Sequence, residues 1–278
     1  MDLNWFESFL FGLFSGLGDI LPISAEAHRI VMLKFFGRSG DVTLIRLFAH
    51  LGVALALAVC CRPQLVRMQR ARALKRIPKR RRRRPLDVRS LMDTSLLITM
   101  LVPVVLGLLL QQKAAVLGNK LIFVAGLMFL NGLMLYIPQF FPTANRDSRT
   151  MSRVEGLLMG LGGGLGVLPG ISSMGASLSI GSLCGVDRAY GLSMTLMMNL
   201  GLQIGYLVLD ILAVFAGGAG AVSFVILLRY FFTAAVSFGG AYFGVKLMRA
   251  LANNWGYSFF CFYCWGVALL TFVLNLMA

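Results

Sequence analysis

Six stretches of this chain are apolar over about the length that crosses a bilayer, and this leaves few folds open. They are residues 43–61, 92–111, 120–138, 190–215, 223–245 and 256–277. A hydrocarbon core of about 30 Å takes roughly 20 apolar residues as a helix. Inside it, every backbone N–H and C=O must find its partner within the protein. Composition agrees: 58% of the 278 residues are hydrophobic, and the mean hydropathy is +0.80. The predicted fold class is an all-α polytopic membrane protein. The longest polar stretch is only about 30 residues, too short for a separate soluble domain. The opening "MDLNWFESF" lacks the basic start of a cleavable signal and is expected to stay with the first apolar segment.

Two further apolar segments, about 5–36 and 154–183, are each broken near the middle by Pro and small polar residues. The breaks read "LPISAEAH" (21–28) and "LPGISSMGAS" (168–177). Non-helical backbone survives at membrane depth only where protein buries it or where it lines a cavity. Each segment is therefore predicted to be a re-entrant pair of half-helices. The breaks also look like copies. "GLGDILPIS" (16–24) aligns with "GLGVLPGIS" (164–172), allowing one-residue shifts. Ser24 to Gly37 and Ser172 to Gly185 both span 13 residues, and "HLG" (50–52) answers "NLG" (199–201). The expectation is one domain with an inverted-topology repeat. Repeat 1 covers about 5–111 and repeat 2 about 154–245, with extra spans at about 120–138 and 256–277. Two such breaks build one polar site near the midplane, where half-helix N-termini hold anionic groups.

The formal net charge is +15, and 13 of the 26 Lys and Arg lie between Arg62 and Arg89. Such a block reads as a cytoplasmic loop, 62–90, under the positive-inside rule. Binding of anionic lipid head groups by the same loop is the sharper reading. Nucleic acid is set aside, because no aromatic residues are interleaved with the charges. The connection 139–153 and the Lys246/Arg249 loop fall on the same side, so three basic connections agree. Both termini are then predicted outside. Cys261 and Cys264 form a C-x-x-C in an aromatic, apolar helix, where packing is the expected role. The only histidines are His28 and His50.

The two breaks carry a family resemblance. The first matches the pattern E-G-x-x-E-F-x-P-[IV]-S-S-[ST]-[GA]-H, from Ser15 to His28. The second matches P-G-x-S-R-S-G-[AS]-[ST], from Pro169 to Ser177. In these motifs the chain resembles the integral-membrane undecaprenyl-diphosphate phosphatases of bacteria, also known as bacitracin-resistance proteins, and the likeness in element order covers nearly its whole length. The resemblance implies removal of the terminal phosphate of undecaprenyl diphosphate at the outer face of the bacterial plasma membrane, recycling the lipid carrier of wall synthesis. It implies dependence on the first motif's two glutamates, serine and histidine and on the second motif's arginine, with a divalent cation, Mg or Ca, assisting. A homodimer is also held open.

Several motif positions depart from the pattern. The first glutamate is Ser15, the second is Asp19, the second serine is Ala25 and the arginine is Ser173. The catalytic candidates are His28, Ser24, Asp19 and Glu26. His28 can manage protons or be phosphorylated. Ser24 is either a nucleophile or a helix cap. Asp19 and Glu26 are candidate metal ligands, since Mg²⁺ takes one or two carboxylates plus phosphate oxygens; Glu26 can instead partner Arg29 or His28. Substrate-binding candidates are Ser172, Ser173, Ser177, Gly170 and Arg29. Losing the arginine removes a fixed bidentate clamp on phosphate; Arg29 or Arg188 can supply one, or can anchor at the interface. Three function classes stay open: a diverged diphosphatase, a non-hydrolytic polyprenyl-phosphate binding protein or flippase, and a structural or regulatory membrane subunit.

Overall fold

The computed structural model describes residues 3–82, 84–141, 145–217, 223–254 and 257–277. Among these residues ten α-helices and no named strand occur. In chain order they are α1 (Trp5–Gly18), α2 (Ala25–Phe35), α3 (Thr43–Arg76), α4 (Val88–Ala115), α5 (Leu121–Tyr136), α6 (Arg153–Leu165), α7 (Ser173–Leu183), α8 (Arg188–Gly217), α9 (Phe224–Asn254) and α10 (Phe260–Met277). Six of them, α3, α4, α5, α8, α9 and α10, are long and apolar enough to cross a bilayer. The chain is a multi-pass all-α membrane protein.

The basic segment differs from its expected form. Helix α3 does not stop at 61 but runs on to Arg76, and α4 begins at Val88, so much of 62–90 is helical. The residues after Pro63 are good helix formers, and Cys61, Met68 and Ala71 give this extension one buried stripe. A proline inside a helix frees carbonyls in the preceding turn. Near this one, the Cys60 carbonyl accepts from Arg249 Nη2 at 2.9 Å. Lys246 and Arg249 likewise lie on the final turns of α9 rather than in a loop.

The two broken segments are built alike from cap to cap. Helices α1 and α2 have 14 and 11 residues, α6 and α7 13 and 11. At 1.5 Å per residue none spans about 30 Å. Asn4 caps α1 and Ser152 caps α6, and Glu7 and Glu155 close a capping box on each. Ser24 caps α2 and Ser172 caps α7. Both second half-helices end at a glycine in the left-handed region, Gly37 (φ 62°) and Gly185 (φ 73°). All four pairs share one offset in the sequence. The outer ends of each segment are also tied: Arg38 Nε donates to Glu7 Oε1 at 2.8 Å, and Arg146 joins α6 to the end of α7, its guanidinium pairing with Glu155 and its backbone with Gly185 and Asp187 at 3.2 and 3.0 Å.

Helix α1 packs on α9 and α6 on α4. In both pairs small residues let backbones meet: Gly16 lies on the Ser237 carbonyl and Gly160 on that of Met100. The two breaks then touch. Gly170 N–H donates to Ser24 Oγ at 3.1 Å, and Ser172 Oγ donates to the Leu21 carbonyl at 3.3 Å. Asn131 of α5 joins them: its Nδ2 donates to the Pro22 carbonyl at 3.0 Å, and its Oδ1 accepts from Ser172 N–H at 2.9 Å.

Candidate active site

Where the breaks meet, a pocket enclosing about 50 Å³ opens, large enough for a few waters. Asp19, Ser24, Glu26, Arg29, Ser172 and Ser173 all line it. Ser24 is the N-cap of α2 and Glu26 lies in its first turn, while Ser172 is the N-cap of α7 and Ser173 its first residue. Two half-helix N-termini, with their partial positive charge, therefore border one cavity. Gln111 and Ala115, at the C-terminal end of α4, complete its wall.

The serines at the breaks act first as caps. Ser24 Oγ accepts from Ala27 N–H at 3.4 Å and from Gly170 N–H at 3.1 Å. Ser172 Oγ accepts from Gly175 N–H at 3.1 Å. Gly170 bonds to the first break and does not itself line the pocket. Ser177 lies behind the site, its hydroxyl 3.2 Å from that of Thr195. Ser173 Oγ is buried without a partner.

Positive charge enters from two places. Arg29 is 6% exposed. Its Nε and Nη2 donate to Glu26 Oε2 at 3.1 and 2.5 Å, and its Nη1 donates to Ser15 Oγ at 3.1 Å. The serine standing at the first glutamate position thus accepts from this arginine. Arg46, on α3, also lines the pocket. Its Nε and Nη2 donate to Asp210 Oδ1 at 2.9 and 2.6 Å. Arg188 is at the start of α8 and lines a different cavity.

The two histidines differ in what they have left to give. His28 does not line the pocket. It lies two residues from Glu26, about 200° around the helix, and so faces α10. Its Nδ1 is 2.7 Å from the Ser24 carbonyl and its Nε2 is 2.7 Å from the Tyr263 hydroxyl. The expected grouping of His28 with Asp19 and Glu26 therefore does not occur. His50 does line the pocket. Its Nδ1 is 2.8 Å from Asp210 Oδ2, and its Nε2 is buried without a partner. Arg46, His50 and Asp210 are absent from the motif-based site. Each is an ionisable residue inside an apolar span, and that was the available signal.

The donors limit how a cation can bind. Among the described residues no three His, Cys, Asp or Glu side chains are grouped to hold a metal. Glu26 is committed to Arg29, while Asp19 Oδ2 is buried without a partner. Asp19 thus fits a divalent cation that is shared with phosphate oxygens of a substrate. Cys261 and Cys264 are free thiols, fully buried between α10 and its neighbours, as packing residues are.

Relatives point the same way. An undecaprenyl-diphosphatase of Carboxydothermus hydrogenoformans is 26% identical over 277 residues, covering 96% of this chain and 97% of the relative. One of Methanobrevibacter smithii is 24% identical over 272 residues, covering 96% of each. One of Pseudarthrobacter chlorophenolicus reaches 30% over 187 residues, covering 67% of this chain and 66% of the relative. Residues 8–270 match the family described as bacitracin resistance protein BacA. With that match running from α1 into α10, through both breaks and the pocket between them, this chain belongs to the BacA family.

Proposed function

We propose that this chain removes the terminal phosphate of undecaprenyl diphosphate, releasing undecaprenyl phosphate and inorganic phosphate. One observation carries the reading. Two guanidinium groups, two half-helix N-termini and three unpartnered buried atoms converge on one pocket within an otherwise apolar fold. The three atoms are Asp19 Oδ2, His50 Nε2 and Ser173 Oγ. Buried polar atoms are ordinarily paired, so such a concentration is expected where a polar ligand completes the network. Arg29 and Arg46 supply the positive charge that position Ser173 lacks. A divalent cation bound between Asp19 and the phosphate oxygens would neutralise charge on the diphosphate.

Two finer readings belong with this one. The matched caps and the tied ends of α1–α2 and α6–α7 support re-entrant hairpins related as an inverted repeat. The basic connections support an outward-opening site, with Gln111 and Ala115 on the outer side, in a bacterial plasma membrane. The exposed arginines on the α3 extension support contact with anionic head groups.

The test is phosphate release from undecaprenyl diphosphate by the purified protein in detergent, with Mg²⁺, with Ca²⁺ and with chelator. Release is expected, and Asp19→Asn should abolish any stimulation by the cation. Tight binding of undecaprenyl phosphate without phosphate release would instead identify a non-hydrolytic carrier.

A further inference from the structure

We propose that His50 is the general base of this hydrolysis and that Asp210 is the residue that positions it. The proposal rests on the diphosphatase reading and names the group that moves the proton. A carboxylate can only accept, so the 2.8 Å contact to Asp210 Oδ2 fixes the proton of a neutral ring on Nδ1. The Nε2 lone pair is then left free, buried and unpartnered in a ring that lines the pocket. Tyr206 stacks on that ring at 4.9 Å and 18° and holds its plane. Asp210 Oδ1 is held in turn by Arg46 Nε and Nη2, so the carboxylate is itself fixed. A base, an orienting carboxylate and an anchor for that carboxylate form the arrangement by which a histidine is set up to take a proton.

The remaining groups at the pocket are otherwise engaged or less suited. The titratable and charged groups around His50 are Arg46 on α3, Asp210 and Tyr206 on α8, Asp19 at the first break, and Glu26 and Arg29 on α2. Glu26 is bound by Arg29. Asp19 keeps a free oxygen, but that oxygen is assigned to a cation shared with the phosphate oxygens. His28 has a partner on both nitrogens.

The step balances as follows. His50 Nε2 takes a proton from water as the water oxygen bonds to the terminal phosphorus. The bond between that phosphorus and the bridging oxygen breaks, and its electron pair stays on undecaprenyl phosphate. Inorganic phosphate leaves, and the imidazolium returns its proton to solvent.

The experiment uses the full chain in detergent with undecaprenyl diphosphate, measuring kcat and KM across pH. His50→Gln should lower kcat by about 10² to 10⁴, with KM unchanged, and should remove the rise of kcat with pH. Asp210→Asn should lower kcat and displace the pH profile, with Asp210→Glu recovering part of the loss. His50→Ala should be rescued by added imidazole in proportion to its free base, which separates a lost base from a misfolded chain. An active parent whose His50→Gln variant keeps the same kcat and pH profile would overturn the proposal and leave the diphosphatase reading standing. A phosphohistidine trapped at His50, or a His50→Ala variant that imidazole cannot rescue, would also overturn it. A parent that releases no phosphate removes the diphosphatase reading and this proposal together.

Discussion

Arg29 does three things at once: it holds Glu26, satisfies Ser15 and places a guanidinium at the pocket. Arg29→Gln is expected to lower diphosphatase turnover by about 10² to 10³, the usual loss when one charge-stabilising donor is removed. Adding Ser173→Arg should restore part of that loss, because Ser173 faces the same cavity. Phosphate-release rates of the single and double variants check both expectations. Residues such as Arg29 and Asp19 were legible in the sequence because the breaks advertise themselves. Arg46, His50 and Asp210 were not assembled from it, since His50 and Asp210 stand 160 residues apart and only the packing of α3 on α8 joins them. His28 sits at the motif position, but helical phase turns it away from the pocket. Sequence position alone does not show that both its nitrogens are already taken.

At each break backbone groups freed from the helices find side-chain partners, and Asn131 supplies partners to both. Asn131→Ala would leave the Pro22 carbonyl without that donor and the Ser172 N–H without that acceptor. Each such group costs about 1–3 kcal/mol when stranded. Thermal unfolding in detergent should fall clearly, and activity with it. Farther out, burial pushes the Glu155 carboxyl up, but the Ser152 N–H and the Arg146 guanidinium outweigh it and hold it below its usual value. A carboxyl with a depressed native pKa stabilises above its unfolded pKa and loses that contribution as pH falls through the native one. The parent should therefore exceed Glu155→Gln in melting temperature at neutral pH, and the gap should close in acid. Element types and the six spans were legible from hydropathy and Pro/Gly punctuation. The continuation of α3 through Pro63 was not, because the stripe that stabilises it, Cys61, Met68 and Ala71, is too sparse to stand out among arginines.

The whole chain is expected to sit with both termini outside and the 62–90 segment in the cytoplasm. A single cysteine placed at Arg80, in an otherwise cysteine-free chain, should resist a membrane-impermeant reagent in intact cells. One placed at Asn275 should react. Labelling in the opposite pattern would invert the molecule and put the pocket on the cytoplasmic side. The pocket also needs both halves of the chain. Gly170 reaches Ser24 across 146 residues, and His28 meets Tyr263 across 235. At roughly 5–20 residues per second, translation separates the first break from its partner by on the order of 10 s. For that interval Ser24 is without its bond from Gly170, which is not yet made. A gene divided between α5 and α6 should therefore give two inert products, and activity should return only in a cell where both are inserted into the same membrane.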